Sequence, residues 1–208
     1  MKILKVFFIA IIMLVQHSIA NDIDVTQEMK ELERDFVAQK FSKVTPKLEL
    51  HCDNNIGRAC SFLGNMYSDD RANLKDITKA FHYFDKACQL GDFIGCSRSG
   101  DIAANEYKDY QQALKLYNYS CYKIKDGSSC LKAESLYSNG LIKIEIEEEI
   151  SLKIKYLKQG CEDRYEVACS IAGTFFNKIG KRNEAKKYDT KACEINKVYC
   201  QYLQQYEK

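Results

Sequence analysis

The sequence predicts an all-α solenoid of stacked helix pairs, and three observations predict it. Ten cysteines fall into five close couples, Cys52/Cys60, Cys88/Cys96, Cys121/Cys130, Cys161/Cys169 and Cys193/Cys200. Six to eight residues separate the members of a couple, and the couples recur every 30 to 40 residues or so. A period in that range marks stacked supersecondary units. The text around the couples also repeats. Lys79-Ala80-Phe81-His82-Tyr83-Phe84-Asp85-Lys86-Ala87-Cys88 returns in Asn183-Glu184-Ala185-Lys186-Lys187-Tyr188-Asp189-Thr190-Lys191-Ala192-Cys193. Cys60-Ser61-Phe62-Leu63-Gly64-Asn65-Met66-Tyr67 returns in Cys169-Ser170-Ile171-Ala172-Gly173-Thr174-Phe175-Phe176. Finally, both flanks of the couples carry the i, i+3, i+4, i+7 stripe of an amphipathic helix.

In chain order, Met1 to Lys5 carries two lysines and no acid, and Val6 to Val15 is unbroken apolar sequence too short to span a bilayer. Small residues then lead to Ala20, so residues 1–20 are expected to be a secretory signal peptide cleaved after Ala20. An uncleaved anchor is the alternative. The leader holds two of the 31 basic residues and none of the 29 acidic ones, which leaves the remainder with 29 of each. That balance lacks the basic field nucleic-acid binding requires.

Outside the cytosol, an even number of regularly spaced cysteines implies a disulfide framework. Repetition selects pairing within each couple, Cys52–Cys60, Cys88–Cys96, Cys121–Cys130, Cys161–Cys169 and Cys193–Cys200. Structural zinc is the rival, but it favours CxxC spacing with histidine partners, and only His51 and His82 lie beyond the leader. No metal and no cofactor is therefore expected. Closing a loop of about nine residues stabilises by roughly 2.5 kcal/mol in the chain-entropy model.

Residues 21–59 read as atypical capping helices. Val25, Met29, Leu32, Phe36, Val37 and Phe41 step by three and four through one helix, and Pro46 should mark the first turn of the next. About four helix-pair units follow over 60–199, with a C-terminal cap over 200–208. Counting back from the leading cysteine, positions −8, −5, −4 and −1 are Ala80, Tyr83, Phe84 and Ala87, then Ala113, Leu116, Tyr117 and Ser120, and finally Ala185, Tyr188, Asp189 and Ala192. The fourth couple keeps Tyr156 and Leu157 but has Lys153 at −8, so looser packing is expected there. After the trailing cysteine, glycine stands at +4 three times, at Gly64, Gly100 and Gly173. Glycine in a helix costs up to about 1 kcal/mol against alanine, so its repetition implies close approach of a neighbouring helix. Glu134 breaks that pattern without a visible reason. The acidic run Glu145, Glu147, Glu148 and Glu149 reads as a solvated face or a helix start.

With these residues in hand, the chain resembles the Sel1-like repeat family, relatives of the tetratricopeptide repeats. More closely it resembles the Helicobacter cysteine-rich proteins and their exported relatives. The carriers are Ala80 with Lys86-Ala87-Cys88 and Gly95-Cys96, together with Cys60 to Tyr67. The resemblance implies helix pairs, each with one disulfide, wound into a right-handed superhelix with a concave groove. It also implies a β-lactamase or penicillin-binding label. Serine β-lactamases need S-x-x-K with S-D-N and K-T-G. Ser120-Cys121-Tyr122-Lys123 and Ser129-Cys130-Leu131-Lys132 match the first pattern as chance would, and neither other motif occurs.

The functional expectation is an exported, monomeric binding scaffold, periplasmic or secreted, that spans no membrane once its leader is removed. Its ligand would be a protein, a peptide or a peptidoglycan fragment, held by Phe62, Asn65, Arg98, Asp101, Lys132, Ser135 and Thr174 at positions +2 and +5 of the trailing helices. Which of the two open sides forms the groove is not set by the sequence. The alternative is a penicillin-binding protein with weak β-lactamase activity.

Overall fold

The computed structural model describes residues 25–69 and 74–206, so the expected signal peptide lies outside it. The described residues form an all-α repeat solenoid. Helix α1 (25–37) leads into α2 (Phe41–Asp53), α3 (Gly57–Ser68), α4 (Ile77–Gln89) and α5 (Phe93–Asn105). Next come α6 (Tyr110–Tyr119), a π-helical turn (Ser120–Ile124), α7 (Gly127–Ser138), α8 (Ile146–Glu162), α9 (Glu166–Lys178) and α10 (Arg182–Ile195). A 3-10 segment, Lys197–Tyr206, closes the series.

Short acidic residues start α4, α5 and α6. The carboxylates of Asp76, Asp92 and Asp109 accept from the backbone N–H of Lys79, Gly95 and Gln112 at 3.0, 3.1 and 2.9 Å. Each satisfies a donor that the first helical turn leaves open. The acidic run opens α8, with Glu147, Glu148 and Glu149 in its first turn, where the helix dipole favours negative charge.

Sulfur joins Cys52 to Cys60, Cys88 to Cys96, Cys121 to Cys130, Cys161 to Cys169 and Cys193 to Cys200, with Cα–Cα distances of 4.8, 4.4, 4.9, 4.6 and 4.4 Å. The first four bridges each close a helical hairpin. In those hairpins the residue five before the trailing cysteine turns left-handed: Asn55, Gly91, Lys125 and Arg164 at φ 64°, 84°, 66° and 62°. Only one of the four is glycine, so the short staple and buried flanks hold three side-chain-bearing residues in a region they rarely visit.

Successive hairpins meet along a seam where the −4 side chain of one helix lies over the +4 residue of the helix before it. A Cβ on Gly64 would sit 2.6 Å from the Phe84 ring, and one on Gly100 would sit 2.5 Å from the Tyr117 ring. A Cβ on Gly173 would collide with the Asp189 carboxylate. The exception at Glu134 now has a reason. Its carboxylate accepts from Lys153 Nζ at 2.8 Å across the α7–α8 seam, so the two departures from the repeat compensate one another. The space expected to be loose is filled by an ion pair, with Lys153 Nζ also 6.0 Å from the Phe175 ring centre.

Two details differ from the sequence expectation at the N-terminal end. The first helix breaks at Gln39, φ 57°, and Phe41 begins α2 rather than ending α1. Pro46 accordingly sits in the second turn of α2, not the first. Burial of Val44 and Leu48 draws the helix start upstream. A proline there removes only the bond to the carbonyl of Ser42, and Thr45 Oγ1 donates to the neighbouring Phe41 carbonyl at 2.7 Å.

Candidate functional site

A cleft of about 720 Å³ opens between α4 and the α6–π segment. Its geometry begins with one residue. Three hairpin bridges span eight positions, whereas Cys121–Cys130 spans nine. The first helix of that hairpin takes up the difference by widening into the π turn, with Lys125 N–H donating to the Ser120 carbonyl five residues back. Single-turn π bulges of this kind recur at functional sites. Here the turn sets Tyr122 and Lys123 along one wall, continuing Gln112, Lys115, Leu116, Asn118 and Tyr119 of α6, with Asp85, Cys88 and Gln89 of α4 opposite.

The floor is apolar and the rim polar. Leu116 and Cys88 are buried, while Tyr119 leaves 44% of its surface exposed. Tyr122 lies between Lys155, whose Nζ is 5.1 Å from the ring centre, and Tyr156, whose ring centre is 6.0 Å away. Its hydroxyl is buried, and among the described residues no hydrogen-bond partner meets it. Burial accordingly pushes its phenol pKa up. Part of the rim is already engaged. Gln89 Nε2 donates to Asp85 Oδ2 at 2.8 Å, and Tyr156 Oη donates to Asn118 Oδ1 at 2.8 Å. The Lys115 and Lys123 side chains stay exposed. From Tyr110 through Ile124 there is no acidic residue.

The residues expected from sequence lie on the helices after each cysteine couple, away from this cleft, and four of the seven, Asn65, Arg98, Asp101 and Lys132, come together. Asn65, Arg98 and Lys132 line a separate hollow of about 350 Å³. Lys132 Nζ donates to Ser97 Oγ and to both Asp101 oxygens, each at 2.8 Å, and Tyr117 Oη donates to the same Asp101 at 2.8 Å. Lys132 and Asp101 therefore brace α5, α6 and α7 together, and the Arg98 guanidinium stands 3.8 Å from Asp101. Ser135 donates to the Lys132 carbonyl within its own helix, and Thr174 is exposed on α9, apart from this hollow. Phe62 is part of the core. It is 7% exposed, covered by Phe36 of α1 at 4.8 Å and by the Arg58 guanidinium at 5.1 Å. The capping helix supplies that cover, which the repeat pattern alone does not show.

The two S-x-x-K matches hold no exposed nucleophile. Ser120 and Ser129 are fully buried. Both hydroxyls donate to Asp126 Oδ2, at 3.3 and 2.5 Å, and so lock the start of α7 to the π turn. Lys132, three residues along from Ser129, is committed to Asp101. Neither serine has a lysine poised to take its proton, which a nucleophile of this class requires. No group of three or more His, Cys, Asp and Glu side chains is arranged to hold a metal among the described residues, and no helix among them is long and apolar enough to cross a membrane.

The signal that could have found the cleft is the eight-residue interval inside Cys121/Cys130, against seven in three of the other couples. No family model matches the chain, and no curated protein matches it. Among solved structures it is similar to a Sel1 repeat protein from Oxalobacter formigenes, with 20% identity and a TM-score of 0.61, over 74% of this chain and 64% of that one. It is also similar to c5321, a protective antigen present in uropathogenic Escherichia coli strains that displays an SLR fold, with 19% identity and a TM-score of 0.57. That match covers 74% of this chain and 32% of the antigen. The chain thus spans less than two thirds of either neighbour, and the likeness establishes the fold: a Sel1-like repeat solenoid.

Proposed function

We propose that the chain is an exported, disulfide-stapled scaffold that binds an extended peptide, from a protein or from peptidoglycan, in the cleft between α4 and the π turn. The observation that carries this reading is the cleft itself, an apolar, tyrosine-walled trough with unengaged polar groups on its rim. Pockets of this composition suit a side-chain anchor with backbone hydrogen bonds alongside. Exposed Tyr119 supplies a large contact area at low entropic cost. Five bridges and no free cysteine among the described residues suit an oxidising compartment, which supports export. The resemblance to the Helicobacter cysteine-rich proteins supports it as well. The β-lactamase reading has no support in the buried, Asp126-bound serines.

The test is a nuclear magnetic resonance titration of the oxidised chain with two probes, a muropeptide mixture and a ten-residue peptide carrying Phe and Glu. Shifts at Leu116, Tyr119 and Tyr122 that weaken about tenfold or more in Tyr119→Ala are expected for at least one probe. Shifts confined to Asn65, Arg98 and Lys132, or no shifts from either probe, would reject the cleft.

A further inference from the structure

Eight of the ten cysteines are buried, at 0 to 5% exposure, and lie between packed helices. Cys193 and Cys200 are different. Both are only partly covered, and their bridge ties α10 to Lys197–Tyr206, a segment with no buried residue of its own. Val198 and Tyr202 beside it are 69% and 41% exposed. The same segment nevertheless forms the lid over the end of the solenoid. Tyr206 Oη donates to the buried Asp189 carboxylate at 2.6 Å, and Gln205 Nε2 donates to the same oxygen at 3.2 Å. Arg182 donates to the Gln205 carbonyl at 2.8 Å, and Tyr199 and Tyr206 pack on the cluster that holds Phe176 and Tyr188.

We infer that Cys193–Cys200 is a thiol–disulfide exchange site, open to a dithiol reductant while the other four bridges stay closed. A thiolate of the dithiol bonds to one of the two sulfurs, and the Cys193–Cys200 bond breaks. The second thiol of the reagent then displaces the mixed disulfide. The dithiol leaves as its own disulfide, and Cys193 and Cys200 each take up a proton as free thiols. Attack needs access to sulfur along its axis, and a bridge between packed helices offers it only after local opening. The partly covered bridge needs no such step. Its reduction removes the covalent tether from Lys197–Tyr206, leaving the hydrogen bonds to Asp189, Arg182 and Asn177 and the packing of Tyr199 and Tyr206 to hold the segment. The freed segment uncovers the stacked Phe176–Tyr188 pair, whose ring centres are 5.3 Å apart, at the terminal face of the rod. This inference stands apart from the cleft and its ligand.

The experiment exposes the native oxidised chain to limiting dithiothreitol at neutral pH, quenches with iodoacetamide at intervals, and maps the labelled peptides. Cys193 and Cys200 should label about tenfold faster than any other cysteine, or more. Tryptic cleavage after Lys197 should rise with the same time course, while far-ultraviolet circular dichroism stays unchanged. A Cys193→Ala/Cys200→Ala double variant serves as the second arm. It should show no fast labelling phase and should be cleaved after Lys197 from the outset. Loss of all five bridges in one phase, a different couple labelling first, or resistance of Lys197 after Cys193 and Cys200 have been labelled would each overturn the inference.

Discussion

The hairpin of α4 and α5 and the hairpin that follows it share one plan and differ at two positions. In the first, seven residues lie between Cys88 and Cys96, the helix before the bridge stays α-helical, and Gly100 lets Tyr117 of the next helix lie flat on the backbone. In the second, an eighth residue widens the helix into a π turn, and Glu134 takes the glycine position with Lys153 as its partner. The regular hairpin spends its sequence on stacking. The irregular one keeps the stack by an ion pair and turns its extra residue outward, where it builds the cleft with its neighbour. A repeat protein acquires a site where one unit departs from the rule and the units on either side hold it in place.

Substitutions at the matched seam positions should separate the two hairpins. Gly100→Ala and Gly64→Ala should destabilise by about 1 to 3 kcal/mol in denaturant unfolding, because the buried Tyr117 and Phe84 rings have nowhere to move. On an exposed helix the same change would stabilise by up to about 1 kcal/mol, so the sign alone decides. Glu134→Ala should cost less, about 1 kcal/mol, since the Lys153 side chain is 27% exposed and can turn toward water. A Glu134→Ala loss as large as that of Gly100→Ala would remove the distinction.

Within the irregular hairpin, Ser129→Ala should cost about 1 kcal/mol by loosening Asp126, and neither it nor the parent chain should turn over a chromogenic cephalosporin. Tyr122→Phe should go the other way and raise stability by up to about 1 kcal/mol, since it removes a buried hydroxyl that no described residue satisfies.

The smallest effects separate the two ends of the rod by pH. At the C-terminal end, burial is the largest influence on Asp189 and raises its pKa, against the lowering pull of the Tyr206 and Gln205 hydrogen bonds. A raised carboxyl favours folding in its protonated form. Its contribution is complete below the ordinary aspartate range and is lost as pH rises through the raised value. At the N-terminal end, hydrogen bonds from Lys40 and then Lys43 hold Asp35 down to about 2. That contribution is present above the ordinary range and disappears as pH falls toward 2. Amide exchange between pH 2 and 6 should therefore show the α1–α2 corner loosening in acid while the α10 end tightens. Both ends moving in the same direction would contradict this account.

Much of the fold was legible in the sequence because its period is carried by residues with few substitutes. Cysteine marks each hairpin, and small residues at −8, −1 and +4 mark each close approach, as Ala80, Ala87 and Gly64 do. Even the odd positions, Glu134 and Lys153, were visible as departures, but not as partners, since they are 19 residues apart and meet only when α8 folds back on α7. The cleft was harder to see. Its walls are ordinary surface residues such as Gln112 and Lys115, brought together by a one-residue difference in spacing whose effect on helix geometry no composition reveals. Phe62 failed in the opposite sense. Its position in the repeat is outward, and only the capping α1 makes it core.

The central claim is that the extra residue of the third hairpin creates the binding cleft. Deleting Lys123, which returns the interval to seven residues, tests it directly in the same titration. The deletion variant should keep all five bridges and its helical circular dichroism while the ligand-induced shifts at Leu116 and Tyr119 disappear. Shifts of undiminished size in a correctly bridged deletion variant would show that the cleft owes nothing to the inserted residue.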